Sequence, residues 1–491
     1  MDKQFSKTRL KAVSAFMLMV AALVASCGRP SGNATPAVSN ASSPNVVVIL
    51  LDAFRADRIG AERNGIPVTP ALNRFAAESL RFTQATSPCS WTKPSMASLF
   101  TGLYVDAHQV FYTADRAEGD AARSDALPET LDTMAEWMKG NGYETLGLQT
   151  NANLTAELGF SQGFDNYLFE NCARADWVTG RATEHLKNLK KPFFLYMHFM
   201  DPHAPFDPPE SHHEVFGPLP AISPEEQAIV DQSIPYVLDV AYDTMGLVAQ
   251  RRFPTLSPEG RETIQTRYDA DCRYMDDELG KFLAAMRAEY PNTLFVVLAD
   301  HGEEFWEHNS LGHGHTVYQE QIAVPFFIHG PGIQPGEVTQ PAGTINLLPT
   351  LAAYLKCAPQ PNWQGRDLLA GIEPDAPAFT TTHGAFPRVK IHKEAARVGS
   401  MKLIFQPETG DEKLYDLTSD PVETTNLAAA QPETVARLRA LLTQHLKDYY
   451  SHRKGKRNEV RLSPEVLEQL RLNGYGGQDE PASDGGDKPA Q

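Results

Sequence analysis

The sequence predicts an α/β protein built on a mostly parallel sheet with helices on both faces, followed by a smaller C-terminal α+β subdomain. Continuous apolar runs at residues 45–51, 193–199 and 294–299 are typical of strands buried on both faces of a parallel sheet. Helical segments separate these runs, as in βαβ units. From about residue 376 short strands and then two helices follow, which indicates the second, smaller unit.

Length and charge indicate how many domains the chain forms and which partners it binds. The chain has 491 residues, of which 42% are hydrophobic and 21% charged, and its net charge is −17. This length favours one large domain with a smaller companion. The negative charge argues against nucleic acid as a partner, because nucleic acid requires a basic face. An anionic substrate would need a local cation, and a metal ion could supply it.

The N-terminus has the features of an export signal. Basic residues precede an apolar run at 12–25 that is too short to span a bilayer comfortably. Cys27 directly follows Val24-Ala25-Ser26, which resembles the lipobox of a bacterial lipoprotein; a plain signal peptide with an incidental cysteine is the alternative. We therefore expect an exported protein, attached through a lipid on Cys27 to the bacterial cell envelope, at the outer membrane or on its periplasmic side.

These patterns divide the chain into five parts. Residues 1–27 are the predicted signal peptide, 28–44 a flexible tether, 45–375 the main α/β domain, 376–475 the C-terminal subdomain and 476–491 a disordered tail. Four cysteines remain at wide spacings, and the sequence leaves their pairing open: Cys89, Cys172, Cys272 and Cys357.

Apolar periodicity and glycine or proline boundaries predict the remaining elements in order. Helices are predicted at 70–79, 131–141, 266–287, 345–355, 432–450 and 464–472, and strands at 143–149, 324–329, 396–398 and 402–405. Residues 207–262 are rich in proline and acidic residues, so we expect an irregular insertion over one end of the sheet.

Acidic residues follow two of the buried strands directly. Asp52 ends the first apolar run, and Asp300-His301-Gly302 ends the run at 294–299. Ligands gather at the carboxyl ends of strands in open α/β sheets, and a carboxylate with an imidazole can form a metal site. The alternatives are a helix-capping aspartate at position 52 and a solvated polar loop after residue 299.

Thr92 is a candidate nucleophile. It lies two residues before Pro94 and an apolar helical stretch, and proline is well placed in a first helical turn. A helix N-terminus favours an anion, and metal coordination can deprotonate a threonine hydroxyl into a nucleophile. An ordinary helix cap is the alternative.

Several stretches, spread over nearly the whole mature chain and in the same order, resemble the sulfatase family of the alkaline phosphatase superfamily. They are Asp52 at the end of its strand, Thr92 to Gly102, His198 to Pro205, Asp300 to Glu303, Gly312 to Glu320, Asn346 to Leu351, Leu414 to Pro421, and Leu462 to Tyr475. The resemblance implies an alkaline-phosphatase-like sheet and an ester hydrolase.

The nucleophile position departs from the family pattern. Sulfatases carry Cys or Ser followed by x-Pro-x-Arg, with Thr-Gly nine and ten residues after the nucleophile, and this Cys or Ser is oxidised to formylglycine. Counting back from Thr101-Gly102 gives Thr92, with Pro94 in place but Met96 at the arginine position. Cys89 is three residues too early. Threonine cannot become the aldehyde, so we do not expect formylglycine chemistry.

The metal-binding pattern departs as well. Leu51 stands where many sulfatases carry a second aspartate beside Asp52. One acid, a threonine and an Asp-His pair resembles the superfamily's phosphoethanolamine and phosphoglycerol transferases and its threonine-dependent phosphodiesterases. The resemblance implies one divalent metal ion, Ca, Mn or Zn, on Asp52, Thr92, Asp300 and His301.

The resemblance also implies roles for the other polar residues. Thr92 would attack a phosphorus or sulfur centre in line, and histidines would donate to the remaining oxygens or protonate the leaving group. The predicted catalytic residues are Thr92, His203, His313 and His315, and the predicted substrate-binding residues are Lys93 and His198. A solvated lysine is the alternative at position 93.

Three functions remain open from the sequence. The chemistry favours a metal-dependent phosphoesterase or phosphotransferase, and the family favours a sulfuric ester hydrolase that works without formylglycine. A non-catalytic ligand-binding relative is the third. The expected partner is an anionic ester, with a glycan or a lipid as options for its organic part.

Overall fold

The computed structural model describes residues 43–114, 122–190, 192–231, 255–385, 391–452 and 457–475. The predicted signal peptide with Cys27, nearly all of the tether and the tail at 476–491 lie outside these ranges, as does much of the insertion. Among the described residues, no helix is long and apolar enough to cross a membrane.

An eight-stranded sheet forms the centre of the protein. Its strands are β1 (Asn45–Leu51), β2 (Leu80–Phe82), β3 (Glu144–Gln149), β4 (Asn166–Phe169), β5 (Phe193–Phe199), β6 (Thr293–Ala299), β7 (Phe326–His329) and β8 (Gly336–Val338). In space they run β8-β2-β7-β6-β1-β5-β3-β4. The five strands from β6 to β4 are parallel to their neighbours, whereas β7 pairs with β6 antiparallel. The predicted mostly parallel sheet is confirmed.

The register of the central strands places their carboxyl ends side by side at one edge of the sheet. Every residue of β1, β5 and β6 is buried, so both faces of the sheet are covered. Leu51 pairs with Ala299 on one side and with Phe199 on the other. Asp52 and Asp300 follow directly and therefore emerge side by side at the carboxyl edge.

Eleven α-helices lie in the described part of the chain. They are α1 (Pro70–Ala77), α2 (Thr92–Thr101), α3 (Val105–His108), α4 (Met134–Gly140), α5 (Ala175–Leu186), α6 (Pro224–Asp231), α7 (Pro258–Glu289), α8 (Gln319–Ile322), α9 (Leu347–Leu355), α10 (Pro432–His452) and α11 (Pro464–Leu472). Helix α7 packs against α1 and α5, and α2 packs against α4.

Helix α7 corrects the predicted boundary of the insertion. We expected irregular structure up to residue 262 and a helix from Thr266, but the helix begins at Pro258. Ser257 caps it, because its side chain accepts a hydrogen bond from the backbone N–H of Gly260, and Pro258 fits the first turn. The described part of the insertion also contains α6.

A second, antiparallel sheet follows the main one. It consists of β9 (Ala378–Thr382), β10 (Lys393–Val398), β11 (Met401–Gln406) and β12 (Asp411–Asp416), in that order. Helix α10 packs against β10 and β11. The predicted smaller α+β unit is thus present. The four cysteines of the described chain form no disulfide with one another.

The last described residues return to the main domain. Glu459–Arg461 pairs with Arg123–Asp125 as a two-stranded ribbon. The remaining two-stranded ribbons join Glu62–Arg63 to Ile66–Pro67, Ala85–Thr86 to Ala342–Gly343, and Glu304–Phe305 to Leu311–Gly312.

Candidate active site

A compact cluster of acidic and imidazole groups occupies the carboxyl edge of the central sheet. Asp52 follows β1, and Asp300 and His301 follow β6. One ligand atom from each of these three buried residues lies within 4.8 Å of the others. Gly302 is needed for packing, because a Cβ there would lie 2.2 Å from the backbone oxygen of Glu320.

The donor set of this cluster fits a divalent metal ion. Oδ1 of Asp300 accepts hydrogen bonds from the backbone N–H groups of Ala53 and His301, whereas its buried Oδ2 has no hydrogen-bond partner among the described residues. Nδ1 of His301 donates to the carbonyl of Gly302, 2.8 Å away. In the neutral imidazole, Nε2 then keeps a lone pair directed into the cluster. Burial acts to lower the pKa of His301, but Asp300 and Asp52 outweigh it and raise the pKa to about 9, so a bound cation would replace the proton on Nε2.

The electrostatics of the cluster also fit a bound cation. Burial and the neighbouring Asp52 raise the pKa of Asp300 to about 8. Burial also acts to raise the pKa of Asp52, but the hydrogen bond with His301 and the nearby His203 outweigh it and lower the pKa well below its usual range. A cation bound here would offset the repulsion between the two carboxylates.

Thr92 contributes a hydroxyl to this cluster. It is the first residue of α2 and is completely buried. Its Oγ1 lies 3.3 Å from Oδ1 of Asp52 and 3.1 Å from Nε2 of His301. Thr92 therefore lies among the three candidate metal ligands, and its hydroxyl is available as a fourth.

Asn151 and His198 both lie beside Oδ2 of Asp52. Asn151, just after β3, donates from Nδ2 to Oδ2 of Asp52 over 2.7 Å. His198, on β5, places Nε2 3.4 Å from the same oxygen, and its Nδ1 lies 3.1 Å from the hydroxyl of Thr150. Burial lowers the pKa of His198 to about 4. His198 thus lies against Asp52, although its Nε2 has no hydrogen-bond partner among the described residues.

Two other predicted histidines meet at a tyrosine. Nε2 of His203 and Nε2 of His313 lie 3.3 Å and 2.9 Å from the hydroxyl of Tyr475. The ring of His313 is 4.3 Å from that of His301, so this group adjoins the metal-ligand cluster. Burial raises the pKa of Tyr475 well above its ordinary value, although a hydrogen bond with Thr92 acts against this.

The side chains of Lys93 and His315 form hydrogen bonds with groups outside the metal-ligand cluster. Lys93 is fully buried, so the alternative of a solvated lysine is wrong. Its Nζ donates to Ser124 Oγ and to the carbonyl of Tyr112, 3.3 Å away, and burial lowers its pKa to about 7. His315 directs Nε2 at Oε2 of Glu304, 3.1 Å away.

Asn151, Glu303 and Tyr475 are residues at the site to which the sequence analysis assigned no role, although Glu303 and Tyr475 lie in stretches that resemble the family. Glu303 is fully buried and accepts a hydrogen bond from Nδ1 of His313 over 3.1 Å. Asn151 follows a strand in the same way as Asp52, and this position could have indicated it. Tyr475 lies more than 150 residues from its partners in the chain, and no local pattern connects them.

Comparison with known proteins shows which family and fold the chain is similar to. The family model of the sulfatases matches residues 44–357. An arylsulfatase from Clostridium perfringens is 22% identical over 479 residues, which cover 82% of this chain and 94% of that protein. The structure of a 2-O GAG sulfatase aligns with a TM-score of 0.66 at 20% identity, covering 89% of this chain and 98% of the other. A phosphonate monoester hydrolase from Silicibacter pomeroyi aligns with a TM-score of 0.63 at 21% identity, covering 83% and 96%.

The fold and the site define an α/β ester hydrolase. Because the family model spans more than half of the sequence, the chain belongs to the sulfatase family. The resemblance on which the sequence prediction relied is confirmed.

Proposed function

We propose that this protein is a metal-dependent phosphoester hydrolase that uses Thr92 as its nucleophile. The observation that carries the proposal is the position of the Thr92 hydroxyl, 3.3 Å from Asp52 and 3.1 Å from His301. Asp52, Asp300, His301 and Thr92 would hold one divalent ion. When bound, the ion would lower the pKa of the threonine hydroxyl and offset the charge of the ester.

The chemistry of threonine favours phosphorus over sulfur. An aldehyde hydrate has two hydroxyls on one carbon, so it can release a bound ester by re-forming its carbonyl. Thr92 has a single hydroxyl. Its ester is released only by a second displacement at the central atom, with water as the attacking group. Phosphoryl transfer proceeds through such in-line displacements with the charge spread over the equatorial oxygens.

The protein residues then have distinct tasks in this proposal. The Thr92 hydroxyl gives up its proton to solvent, and Oγ1 bonds to phosphorus as the bond to the leaving oxygen breaks and that oxygen takes a proton from solvent. Water later attacks the same phosphorus, the bond from phosphorus to Oγ1 breaks, and one proton of the water returns to Oγ1 as the free phosphoester product leaves. Asn151 orients Asp52 through its hydrogen bond of 2.7 Å, and His198 lies 3.4 Å from the same carboxylate. His203 and His313 adjoin the reacting oxygens. His315 and Lys93 act through packing, because their hydrogen bonds go to other groups.

The family supports hydrolysis of a sulfate ester as the second candidate, since an arylsulfatase is among the relatives. The phosphonate monoester hydrolase of the same fold supports the phosphorus substrate. Each candidate predicts a different preferred substrate, and the two can be measured on one preparation.

The test is the turnover of an aryl phosphodiester, an aryl phosphomonoester and an aryl sulfate by the wild type with Ca²⁺, Mn²⁺ or Zn²⁺. Thr92→Ala should lower the turnover by on the order of 10³-fold or more, because it removes the attacking atom. Thr92→Ser should retain part of the activity. Mass spectrometry of rapidly quenched enzyme should find the transferred group on Thr92, with Cys89 unmodified.

Thr179→Ala is the matched control, because it removes another buried threonine hydroxyl, which donates to Ala175 in α5. This variant should keep the wild-type turnover. Wild-type activity in Thr92→Ala would exclude Thr92 as the nucleophile. If the metal-loaded protein turns over none of the three substrates and Thr92→Ala changes no ligand affinity, the chain is a non-catalytic relative.

We also propose that the mature protein is attached to the cell envelope through a lipid on Cys27. The support is the position of Cys27 directly after Val24-Ala25-Ser26. Detergent phase partitioning of the expressed full chain should place the wild type in the detergent phase and Cys27→Ser in the aqueous phase. Equal partitioning of both proteins would contradict the anchor.

A further inference from the structure

The last described segment of the chain reaches the candidate active site through Tyr475. We name residues 457–475 the C-terminal strap. Its strand pairs with Arg123–Asp125, and the backbone N–H of Ser463 donates to Glu157 over 2.6 Å. The strap is thus fixed to the main domain at two points before it reaches the site.

Two asparagines anchor the end of the strap. The side-chain amides of Asn473 and Asn171 donate to each other's oxygen, each over 3.1 Å. Gly474 then turns the backbone with a φ of 86°, a conformation that residues with a side chain rarely adopt. The next residue, Tyr475, enters the protein and is only 6% exposed.

Tyr475 is held beside two histidines of the candidate active site. Its hydroxyl lies 2.9 Å from Nε2 of His313 and 3.3 Å from Nε2 of His203. Its ring is 6.0 Å from that of Trp91, the residue before Thr92. The phenol oxygen thus adjoins both the histidines and the start of α2.

The hydrogen bonds of the two histidines determine which group carries a proton. Nδ1 of His203 lies 2.7 Å from the carbonyl oxygen of Ala204, so this nitrogen is the N–H donor. Nδ1 of His313 lies 3.1 Å from the carboxylate of Glu303 and donates to it when that carboxylate is ionised, since an ionised carboxylate only accepts. In a neutral imidazole the other nitrogen is then an acceptor. Both Nε2 atoms therefore accept, and Tyr475 supplies the one proton between them.

From this arrangement we infer that Tyr475 is a substrate-contacting residue, whose hydroxyl donates a hydrogen bond to an oxygen of the transferred group. The inference rests on the proposed location of the active site. An oxygen of a bound anion that enters between His203 and His313 would lie beside two acceptors, their Nε2 atoms, and one donor, the hydroxyl of Tyr475. Tyr475 can turn its proton from an imidazole to the anion, so the strap completes the site.

The test is binding of inorganic phosphate to the full-length protein with Mn²⁺ present, measured by isothermal titration calorimetry. Tyr475→Phe keeps the ring and removes one oxygen. It should weaken phosphate binding about 10- to 100-fold, the usual range for a hydrogen bond to a charged group, and lower kcat/KM for the best ester by a similar factor. Unchanged or tighter phosphate binding would overturn the inference.

Tyr143→Phe is the matched control, because the buried hydroxyl of Tyr143 donates to the carbonyl of Pro44 over 3.0 Å, away from the site. It should leave phosphate binding unchanged. Asn171→Ala keeps Tyr475 and loosens the strap, and it should weaken binding less than Tyr475→Phe does. Stronger phosphate binding by Asn171→Ala would identify the strap as an obstacle and overturn the inference.

The experiments can contradict the nucleophilic role of Thr92 and the anion contact of Tyr475 independently of each other. If Thr92→Ala abolishes turnover but Tyr475→Phe binds phosphate like the wild type, the nucleophile is supported and the role of Tyr475 is excluded. If Tyr475→Phe weakens phosphate binding while Thr92→Ala keeps its turnover, Tyr475 contacts the anion and the nucleophile is a different group.

Discussion

The side-chain amide of Asn151 donates a hydrogen bond to Oδ2 of Asp52 over 2.7 Å. The two residues follow β3 and β1, which are separated in the sheet by β5. The amide therefore reaches across one strand to hold this oxygen of the carboxylate. The other oxygen, Oδ1, lies near Thr92 and His301. This relationship makes Asn151 an orienting residue for a candidate metal ligand.

Asn151→Ala should weaken binding of a divalent cation by about 10- to 100-fold, the usual effect of losing a residue that orients a ligand. Calorimetric titration with Ca²⁺, Mn²⁺ and Zn²⁺ would measure it. Asn141→Ala is the control, because its amide donates to the carbonyl of Trp137 instead. Equal affinities for the wild type and Asn151→Ala would show that this hydrogen bond does not support a metal site.

Metal binding should also stabilise the folded protein. Burial and the repulsion from Asp52 raise the pKa of Asp300, and a cation between the two carboxylates would offset both, so the Tm should rise with metal concentration and fall with a chelator. In Asp300→Asn the shift should shrink strongly, while the metal-free Tm should increase. Differential scanning calorimetry of both proteins would show this. A metal-induced shift of the same size in both would contradict the assigned ligand.

Asp201 should make stability depend on pH. Its Oδ1 accepts a hydrogen bond from Ala175 over 3.0 Å, its Oδ2 has no hydrogen-bond partner among the described residues, and burial raises its pKa from 3.8 to about 7. The folded state therefore holds a proton that the unfolded state releases between these two values. The contribution of Asp201 to stability is thus greatest below the unfolded pKa and is lost as the pH rises towards the folded one.

Asp201→Asn removes this dependence because an amide does not titrate. The free energy of unfolding of the variant, relative to the wild type, should increase between about pH 5 and about pH 8. Urea denaturation at both values gives the comparison. A difference that is constant or that decreases with pH would show that Asp201 is charged in the folded protein over the whole range.

Removing one partner of a buried ion pair should strongly destabilise the C-terminal sheet. Nζ of Lys402, on β11, lies 2.7 Å from Oε1 of Glu423, and their side chains are 1% and 0% exposed. Lys402→Met should cost about 3–5 kcal/mol, because it leaves a buried carboxylate without its partner. Lys402→Met combined with Glu423→Gln should recover part of this loss.

Urea denaturation of these variants would measure the cost. The exposed pair Lys281–Glu278 is the control, and Lys281→Met should change the free energy of unfolding by about 0.5 kcal/mol or less. Similar costs for Lys402→Met and Lys281→Met would mean that the buried carboxylate is neutral or hydrated in the absence of Lys402.

The elements that the sequence predicted best are those with the strongest local pattern. The apolar runs at 45–51 and 193–199 match β1 and β5 residue for residue, because a strand buried on both faces is apolar at nearly every position. Asn45 and His198 are the polar exceptions. The start of α7 was missed, since its first two turns are polar and the cap at Ser257 lies in a stretch rich in proline and acidic residues.

The amino-acid sequence was enough to predict the class of fold and the strand ends at which Asp52, Asp300 and His301 stand, from local apolar runs and the residues directly after them. It also predicted the family, through the resemblance of several stretches. The folded structure was needed to show that Lys93 turns into the interior and that Asn151 and Tyr475 reach the site. Their positions depend on strand register and on contacts between residues far apart in the chain, and local patterns contain no information about such contacts.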